Sequence, residues 1–215
     1  ETETKRAPNA PFITSTLQQR ASTILGFSPS RTMRAAQKLY EEGLITYMRT
    51  DGVSLGAAAQ AQMLAFVKEE FGEEYVQARE YKTKSKTAQE AHEAIRPTNI
   101  TKRNAGGGGD EKKLYELIWK RALASQMTDA KLMRTKITAS TSDQKIPLFA
   151  ANGSRTIFDG WLAADPLSRG EDVELPAVTK GELLALIQID HEEKQTQPPP
   201  RYTEAGLIKE LEKRE

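Results

Sequence analysis

Gly43-Leu44-Ile45-Thr46-Tyr47-Met48-Arg49-Thr50-Asp51 is the stretch on which the reading of this chain turns. Gly43 ends the helix before it, because glycine takes the left-handed conformation past a helix C-terminus without steric cost. Leu44 to Thr50 is mostly apolar, aromatic and β-branched, which predicts an extended strand. Alternate side chains of a strand share a face, so Ile45, Tyr47, Arg49 and Asp51 are expected to point one way. Tyr47 and Arg49 would then stand roughly 6.5 to 7 Å apart, close enough to hold one phosphate between them. A tyrosine in a strand is, taken alone, more often a packing residue. The functional reading comes from its partner. A phenol ionises near pH 10 and needs cationic help to act as a nucleophile. The Arg49 guanidinium favours phenolate, and its fork matches two oxygens of a pentacoordinate phosphorus. The phosphotyrosine ester so formed is close in energy to the phosphodiester it replaces, so a cut strand can be resealed without ATP.

Upstream, Thr14, Ser15 and Thr16 offer N-caps for a helix over Leu17–Leu25 that Gly26 ends. Ser30 caps a second helix, Arg31–Glu42, with Met33, Ala36, Leu39 and Tyr40 as its apolar stripe. Two short helices, a tight turn and a strand outline a helix-turn-helix with a wing. Between Leu17 and Thr50 five basic side chains (Arg20, Arg31, Arg34, Lys38 and Arg49) face two acidic ones, Glu41 and Glu42. That local excess suits a phosphate-binding surface.

Downstream, Ser54 caps a helix over Leu55–Phe71, stopped by Gly72, and a basic loop spans 75–87. A short helix, Ala88–Ile95, carries His92 and closes at Arg96-Pro97. It puts His92 and Arg96 on one face as a second phosphate-contacting pair. Gly106 to Gly109 is followed by Asp110 rather than Lys-Ser/Thr, so it is not a phosphate-binding P-loop and reads as a flexible linker, native or engineered. Asp110 caps a helix through Met127. Past Ala130 the pattern alternates, predicting strands at 131–140, 146–151, 155–162, 173–175 and 183–189, the last of which is equally compatible with a helix from periodicity alone. Pro198-Pro199-Pro200 precedes a last helix, Glu204–Lys213, capped by Thr203. Trp119 and Trp161 are assigned to two separate cores.

The fold class is therefore α+β and multi-domain. The expected divisions are a lead-in strand at 1–10, a helical winged-helix domain at 11–132, a β-rich domain at 133–197 and the start of a further helical domain at 198–215. A length of 215 residues allows a real core, and 38% hydrophobic with 28% charged residues is the balance of a soluble globular chain. The absence of cysteine excludes disulfides, thiolate nucleophiles and Cys-based zinc sites. No apolar run is long enough to span a membrane, and no signal peptide is visible. The net charge of +1 makes any nucleic-acid surface a local one. His191 lies among glutamates and is expected in solvent. No Asp-x-Asp pair or histidine cluster marks a metal site. With no initiator Met and a helix unfinished at its end, the sequence reads as a piece of a longer protein.

Gly43 to Asp51 resembles the active-site tyrosine motif of the type IA DNA topoisomerases, in the bacterial topoisomerase I branch. Pro11-Phe12-Ile13-Thr14-Ser15-Thr16-Leu17-Gln18, Ala91-His92-Glu93-Ala94-Ile95-Arg96-Pro97-Thr98 and Pro200-Arg201-Tyr202-Thr203-Glu204-Ala205 resemble further motifs of that family, in the family's order. The resemblance implies that Tyr47 cleaves one DNA strand and keeps its 5′-phosphate, that Arg49 holds the scissile phosphate, and that negative supercoils are relaxed. It places His92 beside the DNA, with Glu41, Thr46 and Asp51 as supporting neighbours. It makes the tyrosine domain CAP-like and the β-rich stretch part of an arch that lets this domain swing. It puts the Toprim domain, with the acidic residues that bind Mg²⁺, and the C-terminal domains outside this sequence, so no cofactor is expected within it. The stretch alone is expected to be inactive, to bind single-stranded DNA weakly and to self-associate through an exposed hinge surface. Its implied location is the bacterial cytoplasm, at the nucleoid. The competing reading is a non-enzymatic winged-helix DNA-binding module, with Arg31, Arg34, Gln37 and Lys38 reading base edges and Tyr47 merely structural.

Overall fold

The computed structural model describes residues 1–82, 92–143 and 145–214. Their helices are α1 (Thr14–Leu25), α2 (Pro29–Glu41), α3 (Ala57–Phe71), α4 (Gly109–Ala124) and α5 (Glu204–Arg214); their strands are β1 (Thr2–Arg6), β2 (Ala130–Ala139) and β3 (Phe149–Phe158). No helix among the described residues is long and apolar enough to cross a membrane.

α1 and α2 pack around a tight turn. Gly26 takes φ 66°, and Ser28 caps α2 by accepting the Arg31 N–H at 3.2 Å, with Pro29 at the first helical position. The buried face of α2 is Thr32, Ala35, Ala36 and Leu39, which leaves Met33 half-buried and Tyr40 exposed. The stripe is thus rotated from the expected one, because three small side chains let α2 approach its neighbours closely. α4 is the central helix, burying Leu114, Tyr115, Leu117, Ile118, Trp119, Ala122 and Leu123. Each large aliphatic among them is worth about 1.5–3 kcal/mol of transfer free energy. Burial also pushes the Tyr115 phenol up to about 12.

The expected linker at 106–109 is instead the start of α4. Gly106 adopts φ 107° against Glu111, Gly108 is the N-cap, and Gly109 opens the helix.

β1, β2 and β3 form one antiparallel sheet in that order, with Thr4 opposite Leu132 and Ile137 opposite Ala151. The two strands expected at 146–151 and 155–162 are a single β3, Phe149–Phe158, because its pairing with β2 runs on through Gly153, opposite Thr135. Val173 adds one bridge to Ser154. Residues 183–189, expected as a strand, have no regular structure, and Leu183, Leu186 and Ile187 stand in solvent. A strand exists only through its pairing, and this segment has no strand or bridge partner among the described residues.

Trp161 does not belong to a second core. Trp161, Leu162 and Ala164 join the same buried cluster as Phe12, Leu39, Ile118 and Trp119. The Trp161 indole N–H donates to the Arg6 carbonyl at 2.8 Å, and its backbone N–H to the Thr128 carbonyl at 3.0 Å. The foot of the sheet is therefore pinned into the helical body.

Two further expected elements are absent. Residues 44–50 make no strand, only one bridge from Ile45 to Pro97, and residues 92–98 run extended rather than helical. Pro97 disfavours helix before it, and Ile95 bonds through its N–H to the Phe12 carbonyl at 2.8 Å. Residues 88–91 of the expected helix lie outside the described residues.

Candidate active site

The Tyr47 segment has no ladder of its own, and two threonine hydroxyls hold it. Thr14 Oγ1 donates to the Met48 carbonyl at 2.8 Å and accepts the Thr50 N–H at 2.9 Å, while the Thr14 N–H donates to the Thr50 carbonyl at 3.0 Å. On the other side Thr46 Oγ1 donates to the Ala94 carbonyl at 2.7 Å and accepts the Arg96 N–H at 3.0 Å. The segment is thus clamped between the start of α1 and residues 94–96. Satisfying these backbone groups with side chains is what lets an extended segment persist outside a sheet.

From Tyr47 onward the side chains alternate. Met48 and Thr50 are buried, while Tyr47, Arg49 and Asp51 face outward. Ile45 is buried, contrary to expectation, because the chain is still turning off α2 there: Gly43 has φ 70° and Leu44 N–H bonds back to the Leu39 carbonyl at 2.8 Å. Tyr47 is 43% exposed and meets the Tyr40 ring edge-on, with centroids 5.2 Å apart at 67°.

Arg49, Asp51 and His92 line one cleft of about 510 Å³, together with Thr14, Ser15 and Thr50; Tyr47 is not part of its wall. His92 reaches this cleft because Gly52 lets the backbones touch. A Cβ at Gly52 would lie 2.2 Å from the His92 carbonyl oxygen, so only glycine fits there. Ser54 Oγ donates to the same carbonyl at 3.3 Å.

Arg96 is not a companion of His92 on a helix face. Its Nη2 and Nε bond Glu93 Oε2 at 2.6 and 3.1 Å, its Nη1 donates to the Pro97 carbonyl at 3.0 Å, and Glu93 Oε1 accepts the Gly56 N–H at 2.9 Å. Arg96 braces the segment from within. Thr46 braces it likewise.

The basic excess around α2 is mostly neutralised. Arg31 forms a two-pronged pair with Asp110 at 2.7 and 2.8 Å, and Lys38 pairs with Glu111 at 2.9 Å. The Arg31 hydrogen bond holds the Asp110 carboxyl below its usual range, and Lys38 does the same for Glu111. Both acids sit in the first turn of α4, where the helix dipole favours them. Arg20 bonds Ser168 Oγ at 2.7 Å, with Asp165 at 3.9 Å. Gln37 donates to Glu41 Oε1 at 2.7 Å on the exposed side of α2. Among the described residues Arg34 and Arg49 form no ion pair, and of these two Arg49 lines the cleft. No three His, Asp or Glu side chains converge among the described residues as a metal ligand set.

Sequence reasoning missed Thr14, Tyr40 and Glu93. Thr14 read as a helix cap and Tyr40 as part of a buried stripe, and nothing local distinguishes either from the role it has. Glu93 could have been noticed as the acid three residues before Arg96.

A family model described as DNA topoisomerase matches residues 1–215. The chain is 47% identical over 226 residues to DNA topoisomerase 1 of Streptomyces coelicolor, covering 98% of this chain and 24% of that protein. It is 45% identical over 217 residues to DNA topoisomerase 1 of Pseudomonas aeruginosa, covering 98% and 25%. The full-length topoisomerase I structure from Thermotoga maritima is similar at a TM-score of 0.81 and 38% identity, over 99% of this chain and 36% of that one. This chain spans about a quarter of the length of the curated relatives it matches.

Proposed function

Since the chain belongs to the bacterial type IA DNA topoisomerase family, we propose that it carries the nucleophile with which the longer protein cuts and reseals one DNA strand. Tyr47 Oη attacks the scissile phosphorus and displaces O3′, leaving a 5′-phosphotyrosine; the freed 3′-oxygen takes up a proton equivalent to the one the phenol gives up. Attack by that hydroxyl on the phosphotyrosine reverses the step and needs no ATP. Arg49 holds two non-bridging oxygens of the phosphate, Asp51 and His92 flank the strand in the cleft, and Thr46, with Glu41 near the end of α2, supports the segment. One observation carries this reading: the exposed Tyr47 stands two residues from a cleft-lining guanidinium that no carboxylate of the described residues neutralises.

Single-stranded DNA as substrate, Mg²⁺ and a Toprim domain facing Tyr47 belong to the same proposal, as do action at the nucleoid in the cytoplasm, inactivity of this stretch by itself and its self-association. The Mg²⁺ ligands are read as belonging to the Toprim domain, and no step here runs through the ion. The CAP-like winged-helix domain at 11–132, the β-rich arch at 133–197, and the flanking pieces at 1–10 and 198–215 are the corresponding reading of the fold. A non-enzymatic module that reads bases through α2 is less well supported, because Arg31 and Lys38 are engaged by α4 and Gln37 by Glu41.

The test uses the full-length protein with Mg²⁺ and labelled single-stranded DNA, followed by denaturation. A covalent adduct forms in the wild type and vanishes in Tyr47→Phe. An adduct that survives this substitution refutes the proposal.

A further inference from the structure

The Tyr47 side chain is exposed, and its hydroxyl makes no hydrogen bond among the described residues. A phenol free to turn about two side-chain torsions presents its oxygen in line with a phosphorus only part of the time, and that lost fraction slows the reaction. The aromatic partner of the Tyr47 ring is Tyr40, met edge-on at 5.2 Å. This arrangement sets the positive edge of one ring against the negative face of the other.

Tyr40 is itself well placed to act as a stop. It sits in the last turn of α2, beside the fully buried Leu39, and its carbonyl accepts the Gly43 N–H at 2.8 Å. The end of α2 therefore cannot swivel without opening the core. The reversal at Gly43 then brings the chain back so that a residue seven positions later lies against that turn. Tyr40 is too exposed, at 40%, for burial to be its whole role.

We propose that Tyr40 is a positioning residue for the nucleophile, its ring holding the Tyr47 ring in the attacking orientation. This rests on the reading of Tyr47 as the nucleophile. The contact is between rings and does not use the Tyr40 hydroxyl, so phenylalanine is equivalent to tyrosine at this position and alanine is not.

The experiment compares Tyr40→Ala and Tyr40→Phe in the full-length protein. It measures single-turnover adduct formation at saturating single-stranded DNA, the Kd for that DNA, the thermal midpoint, and the ¹⁹F resonance of 3-fluorotyrosine at position 47, assigned by its loss in Tyr47→Phe. Tyr40→Ala is expected to slow adduct formation about two- to tenfold, the range an aromatic pair supplies. Its Kd and midpoint stay near wild type, and the Tyr47 resonance shifts and narrows. Tyr40→Phe restores rate and resonance together. A wild-type cleavage rate in Tyr40→Ala overturns the proposal, and so does a Phe variant as slow as the Ala variant. Abolition of the adduct in Tyr47→Phe alongside either result confines the failure to Tyr40, whereas an adduct retained in Tyr47→Phe overturns the nucleophile assignment and this proposal with it.

Discussion

Replacing Thr46 by valine removes a hydroxyl while keeping the shape and branching of the side chain. The Ala94 carbonyl then loses a donor at 2.7 Å and the Arg96 N–H loses an acceptor at 3.0 Å. Ala94 is fully buried, so its carbonyl has little access to water in exchange. Two hydrogen bonds at about 1 kcal/mol each, with a further penalty for the stranded carbonyl, amount to about 2–3 kcal/mol. The Thr46 N–H bond to the Arg96 carbonyl, at 2.9 Å, survives and keeps the backbones near each other. Urea unfolding followed by tryptophan fluorescence is a direct assay, since Trp119 and Trp161 both lie in the core. With a urea slope of about 2.5 kcal/mol per molar, the midpoint should fall by about 1 M. Thr46→Ser, which keeps the hydroxyl, should lose less than half as much. A Thr46→Val midpoint within about 0.2 M of wild type would show that the hydroxyl clamp does not hold the segment.

Arg49→Lys keeps the charge and loses the planar fork; in the full-length protein it should bind DNA with wild-type salt dependence and cleave roughly tenfold or more slowly, and wild-type single-turnover cleavage would remove the two-oxygen contact. Asp110 and Glu111 have folded pKa values below their unfolded ones of 3.8 and 4.5, so their contribution is present above about pH 4.5 and is lost as pH falls through the depressed values. The thermal midpoint should therefore drop more between pH 7 and pH 3 in the wild type than in Arg31→Ala/Lys38→Ala; equal drops would contradict the pairing. Gly106→Ala forces a side chain into φ 107° with its Cβ 2.8 Å from Glu111 Cβ, and should cost about 1–3 kcal/mol in urea unfolding. Gly109→Ala, with open space around it in the first turn of α4, should be neutral or stabilising by up to about 1 kcal/mol; the reverse order would restore the linker reading.

The helices were legible because each carries its own signal. Gly26 and Gly72 follow α1 and α3 as expected, and the apolar periodicity of α4 survives its many charges, whereas the cap of α2 is Ser28, ahead of Pro29, and not the expected Ser30. The errors fall where the partner is remote in sequence. Residues 44–50 and 92–98 both look like self-sufficient elements, yet each is extended because it bonds to the other and to residues 12–14. Propensity cannot reveal a hydroxyl that reaches from Thr14 to Met48, nor a carboxylate 79 residues from Arg31. For the same reason the local count of positive charge around α2 overstated its freedom. At the site, Tyr47, Arg49, Asp51 and His92 were nameable from the motifs, whereas the cleft that gathers the last three depends on Gly52 touching residue 92.

Trp161 acts as a rivet. The indole N–H fastens the end of β1 at the Arg6 carbonyl, while the backbone N–H of the same residue fastens the approach to β2 at the Thr128 carbonyl, just past the end of β3. Because both bonds converge on one residue of the buried cluster, a change at position 161 reaches two strands and the helical core at once. Residues 183–203, by contrast, carry no regular structure and stand exposed.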